Sequence, residues 1–295
     1  MNNPFAKFER FHPVFRLALV TAVPILIAAG CARITGFAES KPPPELEHGK
    51  NFLSAGDRDN AILKFDSAIA SAPKDPRLYC AVLVISARHN NRNLVERYYV
   101  RAQEAIKSLP KAQQASVHLS AGASYLILRQ YERAIQANQM AVELDPGNYL
   151  ALNGLGYAYA EADSNHARAI ELIIQAIDLA RKDDAKPETL GAIIDSLGWA
   201  YYQNEQYQDA VPRLAEAAAL APGMAEIHYH LGLAYEKTAK LQEARVALSR
   251  ASTIEPEMSL YKQALDRVSA VLKERGELTV KPSAKPRSPS QRVTP

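Results

Sequence analysis

Cysteine is nearly absent from this chain: only Cys31 and Cys80 occur among 295 residues. That scarcity excludes a disulfide framework and any zinc site built on cysteine pairs. Glycine is also thin, at 13 positions, and none of them composes a Walker loop, a dinucleotide fingerprint or a Gly-x-Ser-x-Gly elbow. The histidines (12, 48, 89, 118, 166, 228 and 230) form no His-Glu-x-x-His pair. His228 and His230 are two apart, so on a helix they diverge. Asp183 and Asp184 have no acid–base partner nearby in sequence, and Cys80, among Tyr79, Val82 and Leu83, reads as a small core residue. No catalytic residue, metal site or cofactor is expected. Charge of one sign is missing as well. The net +3 comes from the two ends, from Lys7, Arg10 and Arg16 before residue 30 and from Lys281, Lys285, Arg287 and Arg292 after Gly276. The body between is slightly acidic and offers no footprint for nucleic acid.

What is present supports a folded protein. Hydrophobic residues make up 47% and charged residues 23%, enough for a substantial core and too apolar for wholesale disorder. Only one long apolar run stands out, from Leu17 to Gly30. Fourteen helical residues rise about 21 Å, short of a hydrocarbon core of roughly 30 Å, and Pro24 weakens a spanning helix further. A basic start, a short apolar stretch and small residues at its end make residues 1–30 a signal peptide. Ala28-Ala29-Gly30-Cys31 resembles the lipobox of bacterial lipoproteins. The resemblance implies a lipid on Cys31 as the mature first residue. In the sorting rule of such proteins, Ala32 in place of Asp points to the outer membrane, facing the periplasm. Residues 31–44, ending in Pro42-Pro43-Pro44, then form a stiff linker.

Self-similarity organises the rest. Gly198-Trp199-Ala200-Tyr201 recurs as Gly232-Leu233-Ala234-Tyr235, thirty-four residues on. Ala210 and Ala244, Leu214 and Leu248, Ala217 and Ala251, and Pro222 and Pro256 keep that spacing, as do Gly122 and Gly156 with Tyr125 and Tyr159. An early copy holds Gly49, Phe52, Ala61, Phe65, Ala68 and Pro73. Small residues let two helices cross closely, the larger ones fill the crossing, and proline ends the second helix. The pattern resembles the tetratricopeptide repeat over 45–258, with six copies. The second is irregular, with Leu83 and Ser86 for the glycine and tyrosine; so is the fourth, which has an insertion near Asp163. The fold implied is an all-α, right-handed superhelical solenoid, capped by an amphipathic helix over 259–276 and followed by a disordered basic tail, 277–295.

In this family the first helix of each repeat lines the concave face. The resemblance therefore implies a partner-binding groove of Asn153 and Tyr157 in the fourth repeat, Asp195, Trp199 and Tyr202 in the fifth, and Glu226, Tyr229 and Glu236 in the sixth. The alternative for each ring is simple packing between repeats. The basic clamp by which some members grip chaperone termini has no counterpart here. Membrane-tethered repeat proteins of this build serve as scaffolds for pilus, secretion or exopolysaccharide-export machines, which is the first expectation. An adaptor delivering substrates to a periplasmic protease or cell-wall hydrolase is the second. A hydrolase with an unrecognised site is the third. The expected partners are envelope proteins and, through the lipid on Cys31, a membrane; no nucleic acid is expected.

Overall fold

Thirteen helices and no strand make up residues 42–277, the part of the chain that the computed structural model describes. The signal peptide, Cys31, the linker up to residue 41 and the tail from 278 lie outside the described residues. The helices follow one another in antiparallel pairs: α1 (Pro44–Ser54) with α2 (Arg58–Ser71), α3 (Pro76–Arg88) with α4 (Arg92–Ile106), and α5 (Lys111–Ile127) with α6 (Tyr131–Leu144). Next come α7 (Tyr149–Glu161) with α8 (His166–Lys182), α9 (Pro187–Gln203) with α10 (Tyr207–Leu220), and α11 (Ala225–Lys237) with α12 (Leu241–Ile254). The unpaired α13 (Ser259–Glu274) closes the stack against α12. Every first helix also packs on the first helix of the next pair, so α1, α3, α5, α7, α9, α11 and α13 form one continuous row.

The ends of the helices are written locally. Within each pair the turn carries a residue in the left-handed region, and the fourth pair adds Asn165 at φ 53°; the six shared positions are Gly56, Asn90, Arg129, Asp163, Glu205 and Ala239, at φ between 51° and 79°. The next residue's N–H then reaches back to the carbonyl five positions earlier, as from Asp57 to Phe52, Gln130 to Tyr125 and Lys240 to Tyr235. This closes the orphan carbonyls of the first helix. Between pairs, Ala72, Asp145, Ala221 and Glu255 each precede a proline and take extended φ values from −151° to −128°, which stops the second helix. Asp57, Asp75, Asn91, Asn148 and Asn165 cap the following helix through backbone N–H groups.

Close crossings set the spacing inside each pair. A Cβ added to Gly198 would lie 2.5 Å from Leu214 Cγ, and one on Gly232 would lie 2.6 Å from Leu248 Cγ. Leucine therefore fills the room that glycine vacates. The consequence reaches the interior of the row. All twelve residues from Ala115 to Leu126 of α5 are buried, and α7, α9 and α11 hide nearly as much. A helix hidden on every side has to bring its polar side chains inside with it. The thiol of Cys80 meets the Ser116 carbonyl at 3.6 Å in that interior.

Candidate polar–aromatic site on the first helices

Three helices of the inner row carry polar or aromatic residues at a four-residue spacing, the repeat that puts side chains on one helix face. These are Asn153, Tyr157 and Glu161 on α7, Asp195 and Trp199 on α9, and Glu226 and His230 on α11. Because α9 lies between α7 and α11, the three sets meet. The His230 Nδ1 hydrogen donates to both oxygens of Asp195, at 3.0 Å each, with both side chains 3% exposed. The Trp199 indole N–H donates to Glu161 Oε1 at 2.7 Å. Trp199 is also the middle ring of a stack. His230 lies 4.2 Å from it at an interplanar angle of 20°, and Tyr202 lies 5.0 Å away at 6°. On the far side, Arg267 of α13 grips Glu236 with two hydrogen bonds, 2.9 Å from Nε and 2.7 Å from a terminal nitrogen.

The electrostatics follow from that crowding. Burial alone pulls the His230 imidazole down, but Asp195, with Glu226 and Glu161 behind it, outweighs burial and leaves its pKa raised. Burial pushes the Tyr157 phenol well up, and the same three carboxylates add to the rise. The Tyr202 and Tyr229 phenols are also driven up by burial. The hydroxyls of Tyr157 and Tyr229 and the Oδ1 of Asn153 are buried with no hydrogen-bond partner. Among the described residues no group of three or more acidic, histidine or cysteine side chains is arranged to hold a metal ion. The His230–Asp195 pair faces a tryptophan ring. A hydrolytic arrangement needs a nucleophile within reach of the imidazole.

The structure brings the expected groove residues together but does not leave them as an open lining. Asn153, Tyr157, Asp195, Glu226 and Tyr229 are at most 6% exposed and form an interior. Trp199, Tyr202 and Glu236 are partly buried at its edge. Tyr229 packs on Tyr261 of α13, ring centroids 5.0 Å apart, so for this ring the packing alternative describes its contacts. Two members escaped the sequence reading. His230 follows Glu226 by one helical turn and Glu161 follows Tyr157 by the same step, a spacing that would have found both. His228, two residues before, points elsewhere, and its ring meets the Pro222 carbonyl at 3.1 Å. A smaller polar contact lies toward the other end, where the Tyr99 hydroxyl and His118 Nδ1 meet at 2.7 Å and burial lowers the His118 pKa.

Comparison with known proteins fits this architecture. Residues 196–256 match the model of the tetratricopeptide repeat. A TPR repeat-containing protein of Pseudomonas aeruginosa is 29% identical over 192 residues, which are 64% of this chain and 30% of that protein. The chain thus spans less than a third of the curated relative's length. Among solved structures, a chain of the APC/C hetero-tetramer Cut9–Hcn1 superposes with a TM-score of 0.59 at 18% identity, over 85% of this chain and 47% of that one. At that identity the likeness is one of fold. The repeat match, the curated relative and the stacked helix pairs agree on an all-α solenoid of helix-turn-helix repeats, similar to tetratricopeptide-repeat proteins.

Proposed function

We propose that this chain is a lipid-anchored scaffold of the bacterial cell envelope, holding partner proteins on the first-helix side of α7, α9 and α11 while an envelope machine is assembled. The observation that carries the reading is the convergence of carboxylates and stacked rings from three successive repeats on one face. A solenoid needs small apolar residues to stack; a buried run of charged and aromatic groups is costly for stacking alone. Large aromatic side chains and charged hydrogen-bonding groups also dominate binding energy at protein interfaces. Ala28-Ala29-Gly30-Cys31 supports the membrane anchor and Ala32 supports the outer membrane as its address. Pilus, secretion and exopolysaccharide-export assemblies are the machines that fit such a tethered binding protein.

Site-specific photo-crosslinking in intact cells tests the reading. A crosslinking residue at Tyr202, on the edge of the cluster, should capture envelope proteins. One at Val246, 63% exposed on α12, should not. Equal capture from both positions refutes the assigned face. Replacing Cys31 with Ser should move the protein from the membrane fraction to the soluble fraction without changing its helical content. Continued sedimentation with membranes refutes the anchor.

A further inference from the structure

We propose that the His230–Asp195 pair is a proton-operated clasp, locking the sixth repeat onto the fifth while the imidazole is charged and letting that seam loosen as the surroundings turn alkaline. Three features of the pair carry it. First comes its depth. Both side chains are 3% exposed, whereas in every other ion pair among the described residues each side chain is at least 16% exposed. Charge removed from one partner at that depth leaves the other buried and unpaired, which is costly. Second is its position: Asp195 stands on α9 and His230 on α11, 35 residues apart, so the bond crosses between repeats. Third, the imidazole lies over the Trp199 ring with centroids 4.2 Å apart, and a charged ring is attracted to an indole face. One proton thus governs two contacts across the same seam.

The charged groups acting on His230 come from three helices: Asp195 on α9, Glu226 on its own α11 and Glu161 on α7. Asp195 supplies the direct bond, while Glu161 is itself engaged by the Trp199 indole N–H. Nearby stand the phenols of Tyr157 and Tyr229, both driven up by burial and so neutral wherever the histidine titrates. From α13, Arg267 is held by Glu236 and acts on Tyr229 and Tyr202. No charge from α10 or α12 acts on the ring. Burial opposes the imidazolium, the carboxylates outweigh burial, and the pKa stands above its ordinary 6.5. The clasp is therefore closed below 6.5 and opens as pH rises through the higher folded value, the direction that linkage requires of a raised histidine. Above that value Asp195 keeps its charge in the interior without a cation. The least costly relief is to part α9 from α11 and admit water.

Trp199 is the only tryptophan in the chain, so its emission reports on this seam. The full-length protein in detergent would be titrated from about pH 5 to about pH 9, short of tyrosine ionisation, with acrylamide quenching measured at each step. Emission follows the proton, and acrylamide access follows the opening. Emission should change in one step with its midpoint above 6.5. The quenching constant should rise about twofold or more across the same step while far-UV circular dichroism stays unchanged, the mark of a local loosening. Asp195→Asn removes the buried carboxylate and should lower the midpoint by about one pH unit or more. Glu161→Gln, at the partly buried edge, should lower it by less. His230→Gln should abolish the step, and Asp195→Asn keeps the test decisive even if that variant folds poorly. A midpoint unmoved by Asp195→Asn, a quenching constant flat across the step, or a step that persists in His230→Gln overturns the clasp.

Discussion

The side chain most at odds with its surroundings is Asn138 on α6. It is fully buried, and neither its Oδ1 nor its Nδ2 has a hydrogen-bond partner. It lies where two glycines leave room, since a Cβ on Gly122 would come within 2.5 Å of its amide and one on Gly154 within 2.8 Å. The equivalent place, sixteen residues after the glycine of the first helix, holds Phe65, Leu214 and Leu248 in other copies. An unpaired buried amide costs about 1–3 kcal/mol, and replacing it with leucine adds apolar burial worth a further 1.5–3 kcal/mol or so. Leucine is the bulkier of the two, and fitting it between two glycines takes back about 1–3 kcal/mol in repacking. We therefore expect Asn138→Leu to stabilise the fold by about 1–2 kcal/mol, a rise in melting temperature of roughly 3–6 °C for a body of this size. The assay is thermal and urea denaturation followed by circular dichroism, with Asn138→Ala alongside to separate loss of the amide from gain of volume. An unchanged or lower midpoint for Asn138→Leu, at an unchanged urea slope, refutes the reasoning and would mean that the amide is held by something other than the described residues.

Two further outcomes follow from the same geometry. Ala239 sits at φ 59° in the turn between α11 and α12, a conformation that an L side chain adopts at a cost of about 1–2 kcal/mol. Ala239→Gly should raise stability by about 0.5–1 kcal/mol once glycine's greater freedom in the unfolded chain is subtracted, and a lower urea midpoint would contradict it. His230→Phe strands Asp195 in the interior and should cost about 3–5 kcal/mol near pH 6. Because the fold raises the His230 pKa, its charged form contributes fully below the unfolded value of about 6.5 and is lost as pH climbs through the higher folded value. The stability gap between wild type and His230→Phe should narrow from pH 6 to pH 9. A gap that is flat or widens over that range refutes the pairing.

The helix pairs were legible because their cause is repeated. The glycine-over-leucine crossings at Gly198 and Gly232, and the prolines that halt the second helices, recur at one spacing and each has a local mechanical meaning. The turns within pairs were less legible. Glycine at 56 and the Asn or Asp at 90, 163 and 165 favour such a turn, whereas Arg129, Glu205 and Ala239 carry no comparable flag. Packing of the flanking helices enforces the turn there against the residue's own preference. The site was half legible. Repeat position placed Asp195, Trp199 and Glu226 on the inner row, whereas their burial depends on how tightly neighbouring first helices close on one another. That distance is a property of the stack and is not written in any one repeat.

Ties between first helices also bear on how the molecule comes apart. An ordinary solenoid unravels one repeat at a time, because each unit speaks only to its neighbours. Here the Glu161–Trp199 and Asp195–His230 hydrogen bonds lace α7, α9 and α11 together, and Arg267 fastens α13 to α11. These bonds strengthen the nearest-neighbour interfaces from Tyr149 onward, so those repeats should open together more readily than singly. The other half is tied across its second helices instead, where Asp66 of α2 holds Arg97 and Arg101 of α4 through side chains that water reaches, and such exposed bonds resist fraying less.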